Sequence, residues 1–455
     1  MKTRLACAAV ALACLFGPTR LPADEIIDWN NVMLGTIRTN SISPLQGTRI
    51  SAAMNTAMYD SVNSIARTHR PYHVDMTADP GASREAAAAQ AAHRVLSGLA
   101  PVGQATYDAA LATSLSNVPD GPGKTAGIEL GNTVGAAILA LRANDGASAV
   151  VPYTPGTLPG QWRPTPPANA PAAAPHWANV TPWAMTSPSD FRNPDGPPAL
   201  DSAEYTAAFN EVKEIGSATS ATRSQDQSDI AQFWAGQAGT YTPLGHWNRI
   251  AQTIAESQGN TLEENTRLFA LLGMTQADAI ISGFDSKYHY NHWRPVTAIR
   301  EAATDGNPDT EADPNWSSFI ITPNHPSYAA NHGTLSGASG ALLADFFRTD
   351  DIAFTASTEG FSVPDRTFTS ISQASEEASN SRLYGGIHWR FDNEDGFAGG
   401  SALGHHVYAT QLRPVPEPGT WILLIGALLA AMLVAARRTA AHGRVRVGLA
   451  SVPTI

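Results

Sequence analysis

Three ionisable residues near the carboxyl end of the chain, Arg382, His388 and Asp392, have types and spacing suited to holding an anion. His388 follows Arg382 by six residues and Asp392 follows His388 by four, so one helix over residues 380–392 could carry all three on neighbouring faces. A carboxylate at that spacing can accept the Nδ1 hydrogen of the imidazole and leave Nε2 free as a nucleophile or metal ligand. Taken alone, the same triplet is also typical of a solvated helix surface.

Two stretches upstream add groups of the same kind. Lys287 and Arg294 are seven residues apart, which is two helical turns and would place both cations on one face. The other stretch, residues 325–334, begins with His325 and contains His332 seven residues later. Because a buried anion needs several donors at fixed positions, these residues together predict an oxyanion site.

The three stretches read Lys-x6-Arg-Pro, then a loop with Pro-Ser that ends in His, then Ser-Arg-x5-His-x3-Asp. This order resembles the three-part signature of the vanadium-dependent haloperoxidases and type-2 phosphatidic acid phosphatases, a superfamily of helical proteins. Both outer blocks match the signature at every position. Residues 160–167 and 232–235 are also similar to bacterial members, so the resemblance extends over about residues 24–414. It implies an all-α fold built from helical bundles.

The resemblance also implies a role for each residue of the signature. The groups that would hold vanadate, or the phosphate of an ester, are Lys287, Arg294, the backbone amide of Asn331, Arg382 and His388. His388 would bond the central atom and would thus be the metal ligand, Asp392 would orient His388, and His332 would be the acid-base group on the opposite side.

Two activities are compatible with these roles. With vanadate bound, the resemblance implies a haloperoxidase that uses hydrogen peroxide to oxidise a halide, which then reacts with a small organic acceptor. Without vanadate it implies an acid phosphatase, in which His388 is the nucleophile and His332 protonates the leaving oxygen. A non-catalytic cell-surface protein that retains the fold is a third interpretation. We favour the haloperoxidase, because the membrane-embedded lipid phosphatases need several spans and the sequence has none between the first 23 residues and residue 421.

The middle block departs from the usual Pro-Ser-Gly-His. This chain has Ala329-Ala330-Asn331-His332, so the serine hydroxyl that would contact the oxyanion is absent and the backbone amide of Asn331 remains. Loss of one hydrogen bond to a charged ligand weakens binding by about 1.5 to 3 kcal/mol. Another hydroxyl, such as that of Ser327, could replace it.

His325 bears on the choice of halide. Its position is Phe in chloroperoxidases and His in algal bromoperoxidases, so the resemblance implies that bromide is oxidised in preference to chloride. The alternative is a loop histidine with no role in the reaction.

The charge balance excludes some partners. The whole chain has a net charge of −11, and without residues 1–23 and 437–455, which carry seven basic and no acidic residues, the net charge would be −18. A body this acidic is a poor partner for nucleic acid or for an anionic lipid surface.

Both ends of the chain resemble targeting segments. Residues 1–23, which contain both cysteines, predict a secretory signal peptide, so the mature protein would have no disulfide. Residues 415–438 resemble a PEP-CTERM sorting signal with a transmembrane segment, and residues 439–455 form a basic tail. We therefore expect export in a Gram-negative bacterium to the periplasm, cell surface or medium, contact of the carboxyl-terminal segment with the membrane, and a sorting protease as partner. An ordinary membrane anchor is the alternative for this end.

Apolar residues at helical spacing, separated by Pro, Gly and Asp, predict an all-α protein. We expect an N-terminal bundle over residues 24–150, a Pro/Trp-rich ordered loop over residues 151–200, and a C-terminal bundle with the oxyanion site over residues 201–414. The loop could be a flexible linker, but its three tryptophans favour an ordered segment. The predicted helices are at least one over 26–67, and others at 83–99, 103–115, 125–142, 203–215, 226–235, 243–256 and 262–286.

Overall fold

In the computed structural model of the protein, residues 24–415 and residue 432 are described. The predicted signal peptide, the basic tail and all of the predicted sorting signal except residues 415 and 432 lie outside the described residues. Within residues 24–415 no helix is both long and apolar enough to cross a bilayer.

Thirteen α-helices, three short 3-10 helices and one small antiparallel hairpin make up the regular structure of residues 24–415. The helices are α1 (Glu25–Thr39), α2 (Pro44–Ala66), α3 (Arg84–Leu99), α4 (Gln104–Ser116), α5 (Pro122–Leu141), α6 (Ala203–Ile215), α7 (Gln225–Phe233), α8 (Thr242–Gln258), α9 (Leu262–Tyr290), α10 (Pro295–Arg300), α11 (Asn331–Phe347), α12 (Ile371–Tyr384) and α13 (Arg390–Thr410). Strands β1 (Phe354–Ala356) and β2 (Arg366–Phe368) pair with Phe354 opposite Phe368.

Helix starts follow the local sequence signals. Each helix predicted after residue 80 begins within three residues of its predicted start, and the region 26–67 is two helices separated by a short turn. The side chains of Ser43 and Ser83 cap α2 and α3, and Thr261 and Glu264 form a capping box at the start of α9. These caps satisfy amides that have no partner inside the helix, and they fix where each helix begins.

Small residues let the helices approach one another closely. The alanines of the first half of α3 are buried against α2 and α5. On α13, a side chain at Gly400 would place its Cβ 2.1 Å from the backbone oxygen of Thr334 on α11, so these two helices pack with backbone almost in contact. The long helix α9 packs against both α2 and α11, and it thereby joins the helices before residue 150 to those after residue 200.

Residues 151–200 have no α-helix or strand, yet they are tightly held. Trp162, Trp177 and Trp183 are buried. The carboxylate of Asp278 on α9 accepts hydrogen bonds of 2.7 to 2.8 Å from three consecutive backbone amides, at residues 183–185. This segment is therefore fixed along α9, the helix that ends at the candidate site.

Candidate functional site

The candidate site lies where five helices begin or end. Its residues are Lys287 in the last turn of α9, Arg294 just before α10, Asn331 and His332 in the first turn of α11, Arg382 in the last turn of α12, His388 between α12 and α13, and Asp392 in the first turn of α13. Helix packing therefore brings together residues that are up to 105 positions apart in the sequence.

The prediction that one helix carries Arg382, His388 and Asp392 is wrong. Helix α12 ends at Tyr384 and α13 begins at Arg390, so His388 lies in the turn between them. Gly386 in this turn has a φ of 75°, a conformation that glycine adopts without strain. The turn places the end of α12 beside the start of α13, and it thereby brings the three side chains together.

The prediction that Lys287 and Arg294 share a helix face is also wrong. Helix α9 ends at Tyr290, and Asn291 follows in the left-handed conformation with a φ of 52°. Arg294 is extended because it precedes Pro295, whose ring disfavours the helical conformation of the residue before it. Both side chains still reach the site, from different elements.

Three buried cations dominate the electrostatics. The side chains of Lys287, Arg294 and Arg382 are at most 2% exposed. They donate mainly to backbone carbonyls: Nζ of Lys287 bonds the carbonyl of Ser327 at 2.8 Å, and Nη2 of Arg382 bonds that of Ala231 at 3.2 Å. None of the three forms an ion pair with a carboxylate of the described residues.

Burial lowers the pKa of all three cations. It brings the pKa of Arg294 and that of Arg382 to about 9, and it holds the pKa of Lys287 well below the ordinary value. The charge of Arg294 lowers the pKa of Lys287 and Arg382 further. The charge of Asp392 has the opposite effect and raises the pKa of Lys287 and that of Arg294. A bound anion would relieve this unfavourable concentration of positive charge.

The hydrogen bonds of His388 fix its tautomer. Nδ1 lies 2.8 Å from Oδ2 of Asp392, and Nε2 lies 3.0 Å from Nη1 of Arg294. Because a guanidinium can only donate, Nε2 carries no hydrogen, and Nδ1 donates its hydrogen to Asp392. Burial, and next the charge of Arg294, hold the pKa of His388 well below its ordinary value. The ring is therefore neutral at neutral pH, with a lone pair on Nε2.

Asp392 is fully buried, and burial raises its pKa to about 7. Three groups donate to its Oδ2: Nδ1 of His388, the hydroxyl of Ser327 and, at 3.3 Å, the backbone amide of Trp389. The Ser327 hydroxyl opposes the effect of burial on this pKa.

His332 and Asn331 occupy the first turn of α11. Nε2 of His332 lies 3.0 Å from the carbonyl oxygen of Trp234 and must donate to it, so Nδ1 is the unprotonated nitrogen. Burial and the charge of Arg382 hold the pKa of His332 well below its ordinary value. No side chain caps α11, because Ala330 stands at its N-cap position, and the first amides of the helix are suited to binding an anion.

His325 lies beside the cations. Its Nδ1 accepts a hydrogen bond of 2.9 Å from Nη2 of Arg294, and its backbone oxygen accepts one of 2.9 Å from Nε of the same side chain. The ring packs 5.4 Å from that of Phe284. The structure thus places His325 in the wall of the site, held by Arg294.

Ser327 is placed differently from what the sequence suggested. Its hydroxyl donates to Asp392 and is therefore not a free substitute for the missing serine at position 330. The carbonyl groups of Ser327, Trp234 and Ile387, which bind Lys287, His332 and Arg294, were not predicted either. Backbone acceptors carry no signal in a sequence, because every residue has one.

The donor set fits an oxyanion. Within residues 24–415 no group of three or more His, Cys, Asp or Glu side chains is placed to hold a bare metal ion. The site instead offers three cations, an unprotonated imidazole nitrogen and an uncapped helix start, against one carboxylate. Vanadate and phosphate both need donors of this kind.

Comparison with known proteins gives matches over both the site and the fold. A family model described as the VCPO second helical-bundle domain matches residues 267–416, a range that includes every residue of the site. A curated relative, the vanadium chloroperoxidase of Curvularia inaequalis, is 27% identical over 261 residues, which are 43% of this chain and 42% of that protein. The match thus spans about two fifths of the length of that relative.

Two solved structures are similar over most of the chain. A bacterial vanadium-dependent iodoperoxidase has a TM-score of 0.74 and 27% identity, with 87% of this chain and 96% of that chain covered. A bacterial vanadium-dependent chloroperoxidase has a TM-score of 0.65 and 16% identity, with 81% of this chain and 92% of that chain covered. At this identity the match is evidence for a similar fold alone.

Proposed function

Since the chain belongs to the superfamily of vanadium-dependent haloperoxidases and type-2 phosphatidic acid phosphatases, we propose that it is a vanadate-dependent haloperoxidase. The observation that carries the proposal is the cluster of three buried cations, Lys287, Arg294 and Arg382, with no carboxylate partner among the described residues. Burying unpaired charges is costly unless an ion of opposite charge joins them. A bound oxyanion supplies that charge.

The residues would act as follows. Lys287, Arg294 and Arg382 would neutralise the oxyanion and hold its oxygens. Nε2 of His388, which accepts from Arg294 in this structure, would turn its lone pair to the central atom of the oxyanion. Bound vanadate would supply an electrophilic centre that activates hydrogen peroxide for attack by a halide. His332, whose Nδ1 carries no hydrogen, would accept a proton from the incoming peroxide.

For the halide, we propose iodide and bromide in preference to chloride. His325 puts a polar ring in the wall of the site, where the resemblance associates Phe with chloride oxidation. The similarity to an iodoperoxidase over 87% of the chain supports the same choice. The oxidised halide would then react with a small organic acceptor.

Halide oxidation tests the proposal. The purified full-length protein, freed of metals and phosphate, is given hydrogen peroxide and iodide or bromide, with and without orthovanadate. We expect turnover that requires orthovanadate and that falls by about a hundredfold or more in His388→Ala. His405→Ala, an exposed histidine paired with Asp345, is the matched control and should retain activity. Equal turnover without orthovanadate, or in His388→Ala, would contradict the proposal.

A phosphate-ester hydrolase is the second candidate, favoured by the unprotonated Nε2 of His388, which suits a phosphohistidine nucleophile. Hydrolysis of p-nitrophenyl phosphate without added vanadate, inhibited by orthovanadate and absent in His388→Ala, would support it over the peroxidase. A protein that neither takes up vanadate nor hydrolyses the ester would be a non-catalytic member of the fold.

A further inference from the structure

Ser327 connects several parts of the site, although the signature of the superfamily gives it no role. It is fully buried in the segment between α10 and α11. Its hydroxyl donates to Oδ2 of Asp392, its carbonyl accepts a 2.8 Å bond from Nζ of Lys287, and its amide donates to the carbonyl of His292 at 2.9 Å. One residue thus contacts both a cation of the site and the carboxylate behind His388.

The hydroxyl has a specific effect on the Asp392 carboxylate. Both Ser327 and His388 bond Oδ2, whereas Oδ1 is buried without a hydrogen-bond partner in the described structure. A carboxylate held at one oxygen can rotate unless a second donor fixes that oxygen from another direction. The amide of Trp389, at 3.3 Å, is one such donor, and the serine supplies another from a segment separate from α13.

We propose that Ser327 is a positioning residue, which fixes Asp392 so that His388 presents Nε2 to the oxyanion and which places the ammonium of Lys287 through its carbonyl. The inference rests on the proposed oxyanion site. It differs from the view that Ser327 replaces the missing serine as a donor to the oxyanion, because its single hydroxyl hydrogen is already donated to Asp392.

Binding of orthovanadate and of inorganic phosphate to the full-length protein, followed by isothermal titration calorimetry, tests the inference without relying on turnover. We expect Ser327→Ala to weaken binding of both anions about tenfold. Ser327→Thr, which keeps the hydroxyl, should restore most of the affinity. Ser339→Ala is the matched control, a buried serine on α11, and should bind like the unmodified protein.

Two further variants separate the alternatives. Ala330→Ser adds a hydroxyl at the position where the superfamily has one, and we expect it to strengthen binding by the same factor in the unmodified protein and in Ser327→Ala, because the two hydroxyls act on different partners. Asp392→Asn should weaken binding, and Ser327→Ala should add little to that loss, because both changes break the same bond. If Ser327→Ala does not fold, Ser327→Cys fills a similar volume with a weaker donor and should also bind about tenfold more weakly.

Unchanged affinity in a folded Ser327→Ala or Ser327→Cys protein would overturn the inference while the proposed function stands. A gain in affinity from Ala330→Ser in the Ser327→Ala background but not in the unmodified protein would also overturn it, because the two hydroxyls would then serve the same contact with the oxyanion. An unmodified protein that binds neither anion would overturn the proposed function, and this inference with it.

Discussion

At the scale of single residues, Arg294 organises the site. Its guanidinium donates to the carbonyls of His325 and Ile387 and to a ring nitrogen of both His325 and His388, at 2.7 to 3.0 Å. The planar fork of an arginine can serve these acceptors together, whereas a lysine offers a single nitrogen. The sequence predicted a cation here, and only the structure shows that it also orients two imidazoles.

Arg294→Lys should therefore weaken orthovanadate binding about tenfold to a hundredfold, although the charge is kept. The dissociation constant from a calorimetric titration measures the effect, and circular dichroism checks the fold. Arg249→Lys, a conservative change at an arginine outside the site that bonds Asn31, is the control. Arg294→Lys with unchanged affinity would show that charge alone holds the anion.

The pairing of His388 with Asp392 was predicted from spacing, but for a reason that was partly wrong. We expected both on one helix, whereas His388 precedes α13 and Asp392 lies in its first turn. The i to i+4 spacing still allows the bond of 2.8 Å. The Arg294 position was mispredicted for a physical reason that the sequence contained, since Pro295 disfavours a helix through Arg294.

At the scale of elements, the contact between α11 and α13 sets the geometry of the site. His332 lies in the first turn of α11 and Asp392 in the first turn of α13, and Gly400 lets the two helices approach closely. The glycines of both helices allow this close packing, but the choice of partner helix depends on the whole fold and could not be read from one segment.

Gly400→Ala should destabilise the protein by about 1 to 3 kcal/mol and weaken orthovanadate binding, because the added Cβ forces α13 away from α11. Urea denaturation and calorimetric titration measure the two effects. Gly35→Ala on α1 is the matched control: an added Cβ would meet nothing within 4 Å, so helix propensity should stabilise it by up to about 1 kcal/mol. Gly400→Ala with the stability of the unmodified protein would contradict this account.

Asp278 on α9 holds the segment over residues 151–200. Removing its carboxylate in Asp278→Ala leaves three amides, two of them buried, without an acceptor, so we expect a loss of about 3 kcal/mol in stability and faster proteolysis within residues 151–200. Limited proteolysis with mass spectrometry locates the cleavage. Asp201→Ala, an exposed acid next to this segment, should be cleaved at the rate of the unmodified protein. Equal rates for both variants would refute the role of Asp278.

At the scale of the whole molecule, the chain has the all-α helical-bundle fold that its sequence predicted, with one short hairpin among residues 24–415. The composition and helix signals were sufficient for the class of fold. The bounds of the three regions expected over residues 24–150, 151–200 and 201–414 stay predictions, as do export and a sorting protease as partner. The last two depend on segments outside the described residues.

Buried histidines should make the protein sensitive to acid. Burial lowers the pKa of His246 to about 4 and that of His292 to about 3. The unfolded chain takes up these protons near pH 6.5, so stability present above that pH is lost as pH falls. The loss is about 1.4 kcal/mol per pH unit for each histidine, and it continues down to about pH 4 for His246 and about pH 3 for His292.

His292→Phe should therefore lose less stability between pH 7 and pH 4.5 than the unmodified protein does. The aromatic neighbours of His292, which include Tyr205, Trp389 and Phe391, can accept a phenyl ring. Urea denaturation at both pH values measures the difference. An equal loss in both proteins would show that His292 is not among the groups that cause the acid sensitivity.

The most direct test of the central claim, that the buried cations hold a catalytic oxyanion, is a titration of iodide oxidation against orthovanadate. The activity of the metal-free and phosphate-free protein should rise in proportion to orthovanadate, saturate at one equivalent per chain, and be suppressed by excess phosphate, which competes for the same donors. Activity that is independent of orthovanadate, or unaffected by phosphate, would contradict it.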